Sequence, residues 1–277
     1  MGDELLICTN GQETTWPAID YGAAVAALIG SPVTLLGIAE HLPSAPIDDK
    51  YPLEGIFARA VELFEQKGVR YSLEIESGDA ERVIPLEARK RNCIVVLGRL
   101  ARPPIRRLLS GRSIRRLLAE IATPILYVPQ ACLPIRKMLV CVGGLGYETN
   151  AEQLAIRIGL KSAAEVTLLH VAPPVDLDYP TARTERDHWK DLETTDTMTG
   201  RHVRQALETA RAAGLNASVR ARQGNIIEEI VAELKGGNYD LVCMGSPYSR
   251  HGLRHLYGPN VTDAVAERVA CPVLTVR

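Results

Sequence analysis

Seven arginines lie between Arg99 and Arg116, and no lysine or acid interrupts them. Guanidinium groups at this density suit planar, paired hydrogen bonding to phosphate oxygens. The run starts at Gly98, directly after the apolar stretch CIVVL, and holds a second glycine, Gly111, followed by Arg112, Ser113 and Arg115. A second reading lays the aliphatic stems of Arg106, Arg107, Arg112, Arg115 and Arg116 over a sheet edge with their heads in water. Turnover chemistry has less support. The chain contains no G-x-S-x-G elbow, no G-x4-G-K-[S/T] loop and no H-E-x-x-H pair, so nothing marks a nucleophile or a general base. His251 and His255 stand four apart, a spacing that bridges a metal on a helix, but no third ligand is indicated. The six cysteines form no C-x-x-C pair, and most sit in apolar runs such as LLIC and LVCMG. They read as small core residues in a reducing compartment rather than as a disulfide or zinc framework.

The surroundings limit what this arginine run can serve. With 277 residues, 46% hydrophobic and 23% charged, the chain has room for two ordinary cores. The formal net charge is -1, which makes the arginines a local feature and argues against a generally basic, nucleic-acid-coating surface. The opening MGDELLIC has acids where a secretory leader has a basic segment. No apolar run reaches the ~20 residues that cross a bilayer, so the expectation is a cytoplasmic protein without a membrane partner.

An internal repeat supplies the elements that must position these residues. LLICTNG at 5–11 matches MLVCVGG at 138–144, and PVTLLGIA at 32–39 matches EVTLLHVA at 165–172, both at an offset of 133. GVRYSLEIESGD at 68–79 pairs with GLNASVRARQGN at 214–225, VVLGR at 95–99 with VCMGS at 242–246, and ATPILYV at 122–128 with ACPVLTV at 270–276, at offsets of 146 to 148. The second copy therefore carries 13 extra residues after its second strand, within the polar segment 175–200. VPQACLPIRK at 128–137, with two prolines, joins the copies.

Within each copy, short β-branched runs alternate with longer segments of helical spacing, such as YGAAVAALIG at 21–30 and FARAVELFEQKGV at 57–69. Near-continuous apolar strands separated by helices predict an α/β fold, a parallel sheet covered on both faces. Ligands in such sheets bind at the carboxyl ends of the strands, where the strand order reverses. Those ends fall after Cys8, Ile38 and Gly98 in the first copy, and Val171 and Gly245 belong to the matching ends of the second.

Both copies resemble universal stress protein domains, over nearly the whole chain, through the order of elements, the glycine after the fourth strand and the closing PILYV and CPVLTVR strands. The resemblance implies two tandem flavodoxin-like or Rossmann-like domains of the adenine nucleotide alpha hydrolase type, residues 1–131 and 135–277. Each would be a five-stranded parallel sheet of order 3-2-1-4-5. In the nucleotide-binding branch of the family the loop after strand four reads G-x2-G-x9-G-[S/T] and an Asp ends strand one. Here Gly98 and Gly111 keep the outer spacing, but Ala101 replaces the middle glycine and Arg112 the hydroxyl residue, with Ser113 one step late. In the second copy Gly245 and Gly258 keep the spacing, while Tyr248 and Pro259 replace the other two positions. A shifted alignment puts Gly252 and Asn260 near those roles. Asn10 and Gly143 stand where the acid should be.

The resemblance thus implies a non-catalytic, stress-linked regulatory protein with at most one weakened site for ATP, another adenine nucleotide or a different small phosphorylated ligand. The candidate residues are Asn10, Ile38, Gly98, Arg99, Gly111, Arg112, Ser113 and Arg115, with Val171, Gly245, Gly258 and Asn260 in the second copy. A slow ATP hydrolase, and an adaptor that binds an acidic partner through the arginine patch, are the alternatives. Family members associate through their last strand. The expectation is that PILYV and CPVLTV pair within the chain as a pseudo-dimer, with a homodimer as the larger assembly.

Overall fold

The computed structural model describes residues 4–39, 52–99, 117–118, 120–143, 149–172, 187–245 and 261–276. Contacts divide the chain into two units, Met1–Ala131 and Cys132–Arg277. In the first, β1 (Glu4–Thr9), α1 (Trp16–Ile29), β2 (Val33–Ala39), α2 (Pro52–Gln66), β3 (Tyr71–Ser77), α3 (Ala80–Arg89), β4 (Cys93–Leu97) and β5 (Ile125–Tyr127) follow one another. The strands lie in the order β3-β2-β1-β4-β5. Every neighbouring pair in that order is parallel.

The second unit repeats the plan with β6 (Lys137–Cys141), α4 (Thr149–Ser162), β7 (Glu165–Ala172), α5 (Met198–Ala212), β8 (Asn216–Gln223), α6 (Ile226–Gly237), β9 (Leu241–Gly245), α7 (Val261–Ala266) and β10 (Val273–Val276). Its strands lie in the order β10-β9-β6-β7-β8, again all parallel. Each unit therefore has the doubly wound α/β arrangement expected from alternating apolar strands and helices. The expanded segment between β7 and α5 contains a 3-10 helix, Trp189–Thr194, which packs on α5 and β8.

Burial follows the position of each strand. Central strands β1 and β4 are covered on both faces, so Leu5, Leu6, Ile7 and all of CIVVL are buried. Flanking β3 is exposed along almost its whole length. Capping in the second unit is local and sequence-encoded: the Asn225 side chain accepts from Ile227 N–H and Glu228 N–H at 3.1 and 3.3 Å to start α6. Thr197 does the same for α5 through Gly200 N–H at 3.0 Å.

Cys8, Cys93 and Cys243 are buried, and none of the six cysteines is joined in a disulfide. Burial pushes the Cys8, Cys93 and Cys243 thiols well up from their ordinary value. Such thiols pack as hydrophobes and are poor nucleophiles at neutral pH.

Candidate functional site

The strand order of the first unit reverses between β1 and β4, whose last paired residues are Cys8 and Leu97. One and two steps beyond come Thr9 and Asn10 on one strand and Gly98 and Arg99 on the other. Thr9 is buried and its hydroxyl lies 2.6 Å from that of Thr15. Thr15 donates its own proton to Gln12 C=O at 2.7 Å, so in the hydroxyl pair Thr9 must be the donor. Thr9 Oγ1 in turn accepts from Gly11 N–H at 3.1 Å. A directed chain of hydrogen bonds thereby closes the loop between β1 and α1. Gly11 sits at φ 80° within it, a left-handed conformation that a side chain would strain.

Asn10 accepts from Gln12 N–H through Oδ1 at 3.3 Å. That bond orients the half-buried side chain, whose two amide N–H donors are then available to a ligand. Gly98 has a packing role. A Cβ there would lie 3.0 Å from Thr15 Cα and 3.2 Å from Ala18 Cβ, so the missing side chain lets the exit of β4 pass against the start of α1. Arg99 is exposed beside it. Ile38 is buried at the end of β2. Gly111, Arg112, Ser113 and Arg115 lie outside the described residues.

The fold also brings a group that spacing alone does not reveal. Arg59, on the second turn of α2, lies over the Trp16 ring at 4.0 Å to its centre and forms a close ion pair with Glu13. Trp16 and Glu13 open α1 and the turn before it, at the same end of the sheet as Asn10. Glu13 neutralises Arg59 there, so this pair adds no net charge beside the loop.

The second unit builds the corresponding place from other groups. Val142 occupies the position of Thr9, so no hydroxyl chain is available. Val142 N–H donates to Leu169 C=O at 2.8 Å, and buried His170 on β7 bonds Val142 C=O through Nδ1 at 2.8 Å. A carbonyl only accepts, which places the imidazole proton on Nδ1. The matching residue in the first unit is Gly37, where a Cβ would lie 2.7 Å from the Phe57 ring. One position thus holds a histidine bonded to the loop in one copy and space for an aromatic ring in the other. Gly143 and Val171 flank this region. Gly245 closes β9 opposite Val276, and Gly258, Asn260, His251 and His255 lie outside the described residues.

Behind the second loop, His202 Nε2 on α5 lies 3.3 Å from Glu152 Oε1 on α4, with 17% and 14% of each side chain exposed. Among the described residues no cluster of His, Cys, Asp and Glu is arranged to hold a metal ion, and no helix is long and apolar enough to cross a membrane.

A family model described as the universal stress protein family matches residues 1–129 and again 134–277. The chain belongs to that family. Among solved structures, a universal stress protein from Archaeoglobus fulgidus DSM 4304 is 16% identical, with a TM-score of 0.73 over 100% of this chain and 99% of its own. A universal stress protein from Pseudomonas aeruginosa UCBPP-PA14, described there as putative, is 14% identical with a TM-score of 0.64, over 99% and 93% of the two chains. The cytoplasmic domain of a prokaryotic cation chloride cotransporter is 16% identical with a TM-score of 0.54, over 99% and 95%. At these identities the likeness is one of fold. No curated protein matches the chain. This tandem universal stress protein thus carries two family domains whose loops have diverged from one another.

Proposed function

We propose that this universal stress protein is a stress-linked regulatory module whose first domain binds an adenine nucleotide or a related small phosphorylated ligand without turning it over. The observation that carries the reading is the end of β1. In the first domain the Thr9–Thr15 hydroxyl chain closes the loop after β1, and the Asn10 side chain stands in that loop at the carboxyl end of the strand beside β4. In the second domain Val142 and Gly143 supply no side-chain hydrogen bond at the same two positions. Asn10 would donate to a ribose hydroxyl or a phosphate oxygen, and Arg99, Arg112 and Arg115 would contact phosphate oxygens in pairs. Gly111 and Ser113 would line the same loop. The second domain, with Gly245, Gly258 and Asn260, would leave the ligand to the first.

Absence of turnover follows from chemistry that the sequence lacks. Phosphoryl transfer depends on positioned charge and an oriented nucleophile, and neither loop supplies a P-loop lysine or a positioned base. Mass spectrometry of small molecules released from the purified full chain tests the binding half: a nucleotide present in wild type and lost in Arg112→Ala is expected. Recovery from the Arg112→Ala protein in equal amount would contradict it. Incubation with ATP tests the other half: phosphate release at the level of a buffer blank is expected, and release abolished by Asn10→Ala would assign hydrolysis to the site instead.

A further inference from the structure

The outer strands β3 and β8 of the two units differ in character. On β8 the outward carbonyl of Ala217 accepts from Arg211 Nε at 3.1 Å, and the 3-10 helix Trp189–Thr194 packs on the strand. Arg220 and Arg222 on its other face are held by Glu233 and Glu229. On β3 no side chain among the described residues caps the backbone. Arg70 C=O accepts from Val33 N–H and Gly78 N–H donates to Ala39 C=O, so the even-numbered residues of β3 turn their backbone groups to β2. Those of Tyr71, Leu73, Ile75 and Ser77 therefore turn to the open edge. On one face Tyr71, Leu73 and Ile75 are 36%, 42% and 59% exposed; on the other lie Ser72, Glu74 and Glu76.

We propose that the free edge of β3 is a docking surface for β3 of a second copy of this chain, paired antiparallel about a twofold axis at Leu73. This interface is independent of the ligand reading above. The register is specified by the residues. With Leu73 opposite Leu73, Tyr71 meets Ile75 on the apolar face, and all three are residues whose N–H and C=O groups point outward, so each pair exchanges two backbone hydrogen bonds. On the polar face the same register sets Arg70 opposite Glu76 on both sides of the axis and Ser72 opposite Glu74. A slip of the axis to Glu74 would set Glu74 against Glu74, and a slip to Ser72 would leave Glu76 beyond the paired stretch. Arg70 forms no ion pair among the described residues of its own chain, unlike Arg220 and Arg222 of β8, and an isologous contact of this kind closes at two copies.

Cross-linking and mass measurement on the full chain test this. A hydrogen-bonded antiparallel pair has Cα atoms about 5.5 Å apart, inside the span of roughly 4.4–6.8 Å that a disulfide bridges. Mild oxidation of Leu73→Cys should therefore yield a covalent dimer, whereas Ser77→Cys, which has no near counterpart in this register, should not. Sedimentation should show a concentration-dependent species of twice the 30.2 kDa chain. Arg70→Glu should weaken it roughly tenfold, and Arg70→Glu combined with Glu76→Arg should restore it. A monomer at all concentrations, a dimer indifferent to Arg70→Glu, or equal cross-linking of the two cysteine variants would overturn the proposal. Species growing beyond the dimer would assign the β3 edge to β8 of a neighbour and equally overturn it.

Discussion

The two domains share every strand and differ in where they keep their polar groups. The first places them at the mouth, in the Thr9–Thr15 hydroxyl chain and Asn10, over an apolar interior with Ile19, Ile56 and Phe64 all buried. In the second, Val142 leaves the mouth without that chain, while Glu152, His202 and Ala210 stand at the positions of Ile19, Ile56 and Phe64. Ala210 lines a small cavity with Glu152, Ala155 and Ala206, where the first domain packs Phe64 against Tyr71, the rings tilted and 5.5 Å apart between centres. A parallel sheet with helices on both faces tolerates either arrangement, because its backbone hydrogen bonds are satisfied within the ladder whatever the side chains do. A mouth rich in oriented polar groups suits a ligand; a polar interior does not advertise one.

The largest effect should come from turning the second interior into the first. His202→Ile alone removes the imidazole beside the mostly buried Glu152 carboxylate and should cost about 1–3 kcal/mol in urea unfolding. Glu152→Ile combined with His202→Ile should recover most of that loss, since an aliphatic pair of similar volume often equals or exceeds a buried polar one. A double variant less stable than the single would break the equivalence between the two domains.

A smaller effect is expected at the mouth. Thr9→Val gives the first domain the residue of the second, and it strips the acceptor from Gly11 N–H and the donor from Thr15 Oγ1. It should cost about 1–2 kcal/mol and loosen Asn10, read as faster amide exchange at Gly11 and Gln12. Unchanged exchange would mean that the hydroxyl chain does not hold the loop.

The repeat itself was legible in the sequence, because two copies at offsets of 133 and 146 to 148 align strand with strand and helix with helix. The alternation of apolar runs with helical spacing pointed to a parallel α/β sheet, and the strand order within each copy came from the family resemblance. The same offsets set Gly37 against His170 and Ile56 against His202, yet nothing in the chain told that His170 bonds Val142 C=O or that His202 meets Glu152. Those contacts join residues 28 and 50 positions apart and exist only once the sheet and its helices are assembled. Arg59 is similar: it reaches Trp16 and Glu13 from α2, and its spacing carries no motif. Spacing marks Gly98 as a site residue, and the structure adds a packing reason for it. The arginines from Arg102 to Arg116 lie outside the described residues, so their part in the site stands as a proposal.

The smallest expected difference concerns a feature the domains share. Each third helix buries a glutamate, Glu87 or Glu233, and each is held by cations. The Lys90 hydrogen bond is the chief cause that lowers Glu87. Burial pushes Glu233 up, but the hydrogen bond from Tyr239 together with Arg220 and Arg222 outweighs it and holds the carboxyl below its ordinary value of 4.5. Burial, helped by the same contact, pushes the Tyr239 hydroxyl up to about 12. A carboxyl whose folded pKa is depressed stabilises fully above its unfolded value and loses that contribution as pH falls through the folded one. Unfolding free energy should therefore decline below about pH 4.5, and Glu233→Gln should flatten that decline while lowering stability near neutrality. An acid limb unchanged by Glu233→Gln would remove this glutamate from the account.

Calorimetric titration of ATP into the intact chain tests most directly the claim that the first domain alone binds. One equivalent per chain is expected, with affinity reduced by Asn10→Ala and by Arg112→Lys, the latter because the ammonium keeps the charge but loses the planar fork. Two equivalents per chain, or affinities unmoved by both substitutions, would contradict it.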